Sequence, residues 1–126
     1  MINYVSEKIG IEIGGPSNIF RSLIPVYFKA KRVDGVNFSN QTVWEGEIQA
    51  GDTYQYLPNT FGHQFISDGT DLTEIKDETY EFLLSSDCLE HIANPIKALL
   101  EWKRILKNNH LMLLVLPNKV SNFDHQ

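Results

Sequence analysis

The sequence has little cysteine, no long apolar run and no excess of basic residues. Cys88 is its single cysteine, which excludes an intramolecular disulfide and favours a reducing compartment. Eleven Lys and Arg against 16 Asp and Glu give a formal charge of -5, so net charge offers no attraction to nucleic-acid phosphates or anionic lipids. No window approaches the roughly 20 apolar residues that span a bilayer, and residues 1–10 lack the pattern of a signal peptide. We therefore expect a cytoplasmic protein with neither a nucleic-acid nor a membrane partner.

The composition is that of a globular domain. Hydrophobic residues make up 42% of the sequence and charged residues 21%, which supports a packed interior and argues against intrinsic disorder. The length of 126 residues corresponds to one domain, and no repeat, low-complexity tract or linker divides the chain. We expect residues 1–126 to form a single domain.

Short apolar segments closed by glycine, proline or small polar residues predict strands at five places. They are residues 8–13, 31–38, 64–67, 80–85 and 111–116. The last one follows a predicted turn at 108–110 and is apolar throughout, which is typical of a strand covered on both faces.

A short helix is predicted between the first two strands. Residues 18–24 carry apolar side chains at helical spacing, with Ser17 or Asn18 as the cap and Pro25 at the end. By contrast, residues 39–62 show no periodicity, and we interpret them as an irregular insertion. Its aromatic side chains could form a lid over a ligand, but the favoured interpretation is that they pin the insertion to the core; they are Trp44, Tyr54, Tyr56 and Phe61.

A second helix is predicted to begin at Pro95, with Asn94 as its cap. Trp102 lies in phase with the apolar residues of this helix, so we expect it in the core. Strands that alternate with helices indicate a parallel sheet, which binds ligands beyond the carboxyl ends of its strands.

The ends of the predicted strands are enriched in glycine and short polar residues. In chain order these residues are Gly14, Gly15, Pro16 and Ser17, then Asn37, Asp68 and Gly69, Ser86 and Asp87, and finally Pro117 and Asn118. A turn without side chains lets a ligand approach backbone N–H groups, and a polar residue at the end of the second strand can bind a ribose. This pattern indicates a nucleotide site, although Gly-Gly-Pro on its own could equally be a tight turn.

Five segments together resemble a known family. They are IEIGGPS at 11–17, VNFS at 36–39, FISDGTDL at 65–72, the segment 80–107 and LLVLPNK at 113–119. In this order they resemble the motif series of class I S-adenosylmethionine-dependent methyltransferases. More narrowly, the chain is similar to a bacterial group of methyltransferase-like proteins that carry an EIGGPS first motif and an LEHIANP segment after the fourth strand.

The resemblance implies a compact Rossmann-like α/β fold with a mostly parallel five-stranded sheet flanked by helices. It implies S-adenosylmethionine as the cofactor and methyl transfer to an unidentified small-molecule or glycan acceptor. It also implies a set of cofactor-binding residues. These are Glu12, Gly14 and Gly15 at the methionine part, Asn37 at the ribose, Asp68 and Gly69 at the adenine, and Ser86 and Asp87 near the sulfonium.

Candidate catalytic groups follow the fourth and fifth predicted strands. His91 is a candidate base because imidazole titrates near neutral pH, although a histidine there could simply orient the loop. Asp124 and His125 resemble an FDH segment of the same group and form a second candidate pair, unless the terminus is frayed. Cys88 and His91 have C-x-x-H spacing, but two ligands do not make a site, so no metal is predicted.

Three features depart from the family pattern. Pro16 stands in a turn that usually contains three spaced glycines, which alters the fit to the cofactor. Asn37 is neutral where the family usually has an acid, so weaker ribose binding is expected unless Glu45 substitutes. The family fold continues past the fifth strand with a helix and an antiparallel strand pair, and this sequence stops at Gln126.

Without that strand pair the strand at 111–116 would have an open edge, and a second copy of the chain is the simplest cover. We therefore expect a homodimer. A truncated, non-catalytic methyltransferase-like binding or interaction module is the alternative function. A nicotinamide-binding domain is disfavoured, because the sequence has neither a G-x-G-x-x-G run nor an acid at position 37.

Overall fold

The computed structural model describes residues 2–38, 41–42, 46–47 and 50–116. Within these residues the elements are, in chain order, α1 Ile2–Val5, β1 Ile9–Ile13, β2 Arg32–Asn37, β3 Gln41–Thr42, β4 Gly46–Glu47, β5 Gly51–Leu57, β6 Thr60–Ile66, β7 Tyr80–Ser86, α2 Pro95–Arg104 and β8 Leu106–Val115. Single 3₁₀ turns lie at Asn18–Phe20, Val26–Phe28 and Leu89–His91.

Six strands form one sheet in the order β5-β6-β2-β1-β7-β8, and β3 and β4 form a separate two-stranded ribbon. The strands from β6 to β8 are parallel, and β5 is antiparallel to β6. This α/β sheet of mostly parallel strands fits the predicted Rossmann-like fold, but the predicted count of five strands is wrong because β5 adds a sixth. The expected absence of a C-terminal strand pair concerns residues after 116, which lie outside the described part of the chain.

The extra strand lies in the segment that we interpreted as an irregular insertion. Residues Gly51–Leu57 and Thr60–Ile66 form an antiparallel hairpin, and Asn59 adopts a left-handed conformation in its turn. Tyr54 and Tyr56, two residues apart on β5, are 1% and 2% exposed. Tyr54 and Tyr56 therefore belong to the core, as the favoured interpretation expected, whereas Phe61 is 49% exposed and does not. Trp44 lies outside the described residues.

The predicted helix at 18–24 is wrong: only the 3₁₀ turn Asn18–Phe20 forms there. Ser17 makes no side-chain cap and instead donates its hydroxyl to Glu12 Oε2 at 2.7 Å. The Ile24 N–H donates to the Ile19 carbonyl, which closes the segment as a wide turn. The Ser17 hydroxyl that could have capped an α-helix is therefore bonded to Glu12 instead.

The second predicted helix is confirmed as α2. Asn94 Oδ1 accepts a hydrogen bond from the Lys97 N–H at 3.1 Å, and Pro95 occupies the first turn. After α2 the predicted turn at 108–110 is not a break, because β8 runs on from Leu106. Tyr80 pairs with Leu106 whereas Phe82 pairs with Leu111, so this region forms a bulge in the strand. No helix in the described part of the chain is long and apolar enough to cross a membrane.

Side chains from both faces of the sheet are buried in two core clusters. Leu83 of β7 packs with α2 and with Ile11 and Ile13 of β1, whereas its neighbours Phe82 and Leu84 pack in the other cluster. That second cluster contains four aromatic residues from the two segments that flank β2; they are Phe20, Tyr27, Tyr54 and Tyr56. The alternation along each strand explains why its core residues divide between two faces.

The loop between β6 and β7 is held by the side chains of α2. Arg104 donates to the carbonyls of Leu72 and Ile75, each at 2.9 Å. Trp102, which is fully buried as predicted, donates its indole N–H to the Gly69 carbonyl at 2.8 Å. These bonds fix the loop that follows the carboxyl end of β6.

Trp102→Phe removes both buried volume and the bond to Gly69, so we expect the free energy of unfolding to fall by about 1–3 kcal/mol. Urea titration followed by circular dichroism measures this change. Leu100→Ala on the same helix is the control, because Leu100 is 66% exposed and its loss should cost no more than about 0.5 kcal/mol. Equal losses in the two variants would contradict the assigned role of Trp102.

Candidate functional site

A cleft of about 700 Å³ lies at the carboxyl ends of β1, β2, β6 and β7. This is the switch point of the sheet, since the chain leaves β1 for β2 on one side and returns to β7 on the other. The residues around the cleft are Ile13, Gly14, Val36, Asn37, Phe38, Ser67, Asp68, Gly69, Thr70, Asp87, Cys88, His91, Ile92, Ala93, Asn94 and Lys97.

Most of the predicted site residues that the structure describes lie around this cleft. They are Gly14, Asn37, Asp68, Gly69, Asp87 and His91. The structure describes three other predicted site residues that do not line the cleft, namely Glu12, Gly15 and Ser86. Asp124, His125 and Glu45 lie outside the described residues. The structure thus brings the ends of four strands together at the cleft, whereas Glu12 is fully buried in the protein.

Glu12 is fully buried and accepts hydrogen bonds from three hydroxyl groups. Tyr27 and Tyr54 donate to Oε1, the latter at 2.9 Å, and Ser17 donates to Oε2 at 2.7 Å. We call these four residues the Glu12 cluster. Burial raises the pKa of Glu12 to about 7, against the opposing effect of the three hydroxyl donors.

The turn that follows β1 has few free backbone donors. Gly14, at a φ of +83°, donates its N–H to the Val36 carbonyl at 2.8 Å, and Ser17 donates its N–H to the Tyr27 hydroxyl at 2.8 Å. Pro16 has no N–H, so Gly15 carries the one amide of the turn without an acceptor among the described residues. Free backbone donors were expected here from the sequence, but two of the N–H groups of this turn already have acceptors within the protein.

Asn37 is held by its amide nitrogen at the end of β2. Its Nδ2 donates to the Gly15 carbonyl at 3.2 Å and to Gln64 Oε1 at 3.3 Å. Since both amide hydrogens have acceptors, the oxygen is the atom with which Asn37 can bind a ligand hydroxyl.

Asp68 is exposed at the start of the loop that follows β6. Its Oδ1 accepts from the N–H and the hydroxyl of Thr70, each at 2.8 Å. These two bonds, with a smaller contribution from Lys97, hold the pKa of Asp68 below its ordinary value. Asp68 is therefore ionised at neutral pH and carries a negative charge to the cleft.

The segment after β7 completes the cleft. Cys88 packs against Gly14, and a Cβ atom added to Gly14 would lie 3.1 Å from the Cys88 sulfur. Burial raises the pKa of the Cys88 thiol. The thiol is therefore neutral at pH 7 and a poor nucleophile. His91 is exposed, with Nε2 at 3.6 Å from Glu90 Oε2. In the described chain no group of three or more His, Cys, Asp and Glu is placed to hold a metal ion.

Several residues around the cleft were not predicted as site residues, among them Phe38, Thr70, Asn94 and Lys97. Phe38 and Thr70 come one or two residues after positions that the strand pattern did identify, so that pattern could have found them. Asn94 was assigned only a capping role, and Lys97 lies on the first turn of α2, which the topology brings to the same edge.

Comparison with models of protein families gives a match. A family model described as a methyltransferase domain matches residues 11–114, which is most of the chain. A search of curated proteins finds no match. The match supports the resemblance to class I methyltransferases, and the narrower bacterial group stays a prediction.

Glu12→Gln should change how stability depends on pH. Because the folded state raises the pKa of Glu12 from 4.5 to about 7, its protonated form favours folding below pH 4.5, and this contribution is lost as the pH rises through 7. We expect the stability of the wild type relative to Glu12→Gln to fall by about 3 kcal/mol between pH 4.5 and pH 8. Urea titrations of both proteins across this range measure the difference in their free energies of unfolding. The contributions of the other titrating groups are common to both proteins and cancel in this difference. A difference that stays constant or grows with pH would contradict the raised pKa.

Proposed function

Because the chain belongs to the methyltransferase-domain family, we propose that it binds S-adenosylmethionine in the cleft and transfers a methyl group to a small-molecule or glycan acceptor. One observation carries this proposal: residues from the ends of four parallel strands share one cleft at the switch point of the sheet. The volume of about 700 Å³ lies within the range of roughly 300–1,000 Å³ for small-molecule sites.

The side chains around the cleft fit an adenosyl ligand. The Asn37 oxygen can accept from a ribose hydroxyl, and the Asp68 carboxylate can accept from an adenine amino group. Phe38 is 83% exposed at the cleft and offers an aromatic surface to a base. The proposal therefore keeps Asn37 at the ribose and Asp68 and Gly69 at the adenine.

The remaining side of the cleft, around Asp87 and His91, is proposed to hold the sulfonium region and the acceptor. The cofactor supplies an electrophilic methyl group, so the protein must align the acceptor and, for some acceptors, remove a proton. We assign proton removal to His91, which is accessible and has Glu90 beside it to stabilise an imidazolium. Asp124 and His125 stay predictions for the same step.

A second candidate is the non-catalytic binding module. It is favoured by the turn after β1, where the Gly14 and Ser17 N–H groups already have acceptors within the protein. A ligand carboxylate then finds fewer backbone donors, which predicts weaker cofactor binding than a turn with free amides would give. Methyl transfer to any acceptor would exclude this candidate.

The homodimer and the cytoplasmic location also remain proposals. Within the described residues β8 has β7 as its only neighbour in the sheet, which supports a partner along that edge.

S-adenosylhomocysteine, the product form of the cofactor, should bind to the protein in a calorimetric titration, and Asp68→Asn should weaken it. The variant keeps an oxygen for Thr70 but replaces a charged acceptor by a neutral one, a loss of about 1 kcal/mol or roughly fivefold in affinity.

Asp71→Asn is the matched control, because Asp71 is an exposed acid three residues away that does not line the cleft. It should bind within about twofold of the wild type. No heat with the wild-type protein at millimolar ligand would count against the proposed function, and equal losses in the two variants would count against the role of Asp68.

A further inference from the structure

Two tyrosines of the Glu12 cluster come from segments outside the cleft. Tyr27 lies on the 3₁₀ turn Val26–Phe28, and Tyr54 lies on the edge strand β5. Both donate to the same oxygen of Glu12, at the end of the central strand β1. Neither tyrosine lines the cleft, so the proposed chemistry gives them no direct part.

The Gly14–Ser17 turn packs directly on this cluster. A Cβ on Gly15 would lie 2.2 Å from Glu12 Cδ and 2.3 Å from Tyr54 Oη, so only glycine allows this close approach. At the other end of the turn, Ser17 donates its hydroxyl to Glu12 Oε2 and its N–H to the Tyr27 hydroxyl. The cluster therefore supports the turn at Gly15 and at Ser17.

The position of the Gly14–Ser17 turn also determines the shape of one wall of the cleft. Gly14 lines the cleft itself, and the Gly15 carbonyl accepts from Asn37 Nδ2 at 3.2 Å. If the turn moved, Gly14 would shift and Asn37 would lose one of the two acceptors that orient its amide.

We infer that Tyr54 and Tyr27 are positioning residues of the proposed cofactor site, and that they hold the Gly14–Ser17 turn in place through the carboxylate of Glu12. The inference rests on the proposed function, because it takes this turn to be part of the S-adenosylmethionine site. In this arrangement the hairpin β5–β6 affects ligand binding through Tyr54 and Glu12, although Tyr54 does not contact the ligand.

The arrangement makes ligand binding sensitive to the protonation of Glu12. The groups that face this carboxylate are Tyr27, Tyr54 and Ser17. Arg21 acts on it through its charge, and the Cys88 thiol, which is neutral at pH 7, lies within electrostatic range. An ionised carboxylate accepts from all three hydroxyls, whereas a protonated one has to donate from one oxygen and so displaces a donor. With a pKa of about 7, Glu12 changes state between pH 6 and pH 8.

The experiment compares Tyr54→Phe with Tyr56→Phe. Tyr56 is the matched control, because it is a buried tyrosine on the same strand with its ring 6.2 Å from that of Tyr54, and it lies outside the Glu12 cluster. We expect Tyr54→Phe to weaken the binding of S-adenosylhomocysteine about tenfold at pH 8, and Tyr56→Phe to stay within about twofold. Thermal unfolding of both variants shows whether a difference in affinity merely follows stability.

The pH profile gives a readout that a purely structural role would not change. Wild-type affinity should be about fivefold higher at pH 8 than at pH 6, and Glu12→Gln should remove this difference. His91 is present in both proteins, so its contribution cancels in the ratio of their affinities. If Tyr54→Phe does not fold, Tyr27→Phe takes its place in the comparison.

Equal affinities for Tyr54→Phe and Tyr56→Phe would overturn the inference. If the wild type itself fails to bind, the proposed function is wrong, and the positioning role is decided by hydrogen exchange at the Ser17 amide, whose acceptor is Tyr27. Tyr54→Phe and Glu12→Gln should then speed this exchange about tenfold, whereas Tyr56→Phe should not. Unchanged exchange in Tyr54→Phe overturns the inference in either case.

Discussion

A buried carboxylate is the constraint on which the architecture around the cleft depends. Taking Glu12 out of water is unfavourable unless its oxygens receive hydrogen bonds. Its three hydroxyl donors come from the turn after β1, from a 3₁₀ turn and from the edge hairpin. These segments have to be in place together, because the loss of one leaves a buried acceptor short of a donor. Local structure that looks independent in the sequence is therefore coupled through one side chain.

The sequence predicts most of the sheet, because its signals are local. Apolar segments that stop at glycine or short polar residues identify the strands of the parallel sheet, and Asn94 before Pro95 identifies the start of α2. The hairpin was missed because Pro58, Asn59 and Gly62 look like loop residues, while the two-residue spacing of Tyr54 and Tyr56 covers only a few positions. The helix after β1 was predicted wrongly because Ser17, a good cap in isolation, binds a carboxylate instead.

In the cleft, too, the features that follow from local sequence order could be predicted, and those that depend on tertiary contacts could not. Residues at the end of a strand or just beyond it, such as Asn37 and Asp68, could be located from the order of the elements, since parallel strands present their carboxyl ends at one edge. Glu12 lies inside a strand, where the sequence does not say whether a side chain faces a ligand or the core. The use of the Gly14 and Ser17 amides depends on Val36 and Tyr27, and no spacing within the turn predicts those partners.

The way in which the loop between β6 and β7 is anchored has a consequence for its evolution. Arg104 and Trp102 hold this loop through the carbonyls of Gly69, Leu72 and Ile75, and a carbonyl is present whatever the side chain is. Exposed positions such as Thr73, Glu74 and Lys76 can therefore diverge among descendants of this chain while the path of the backbone persists. The shape of the loop therefore depends mainly on residues of α2. Substitutions at exposed loop positions can change the surface beside the cleft with little effect on the stability of the fold.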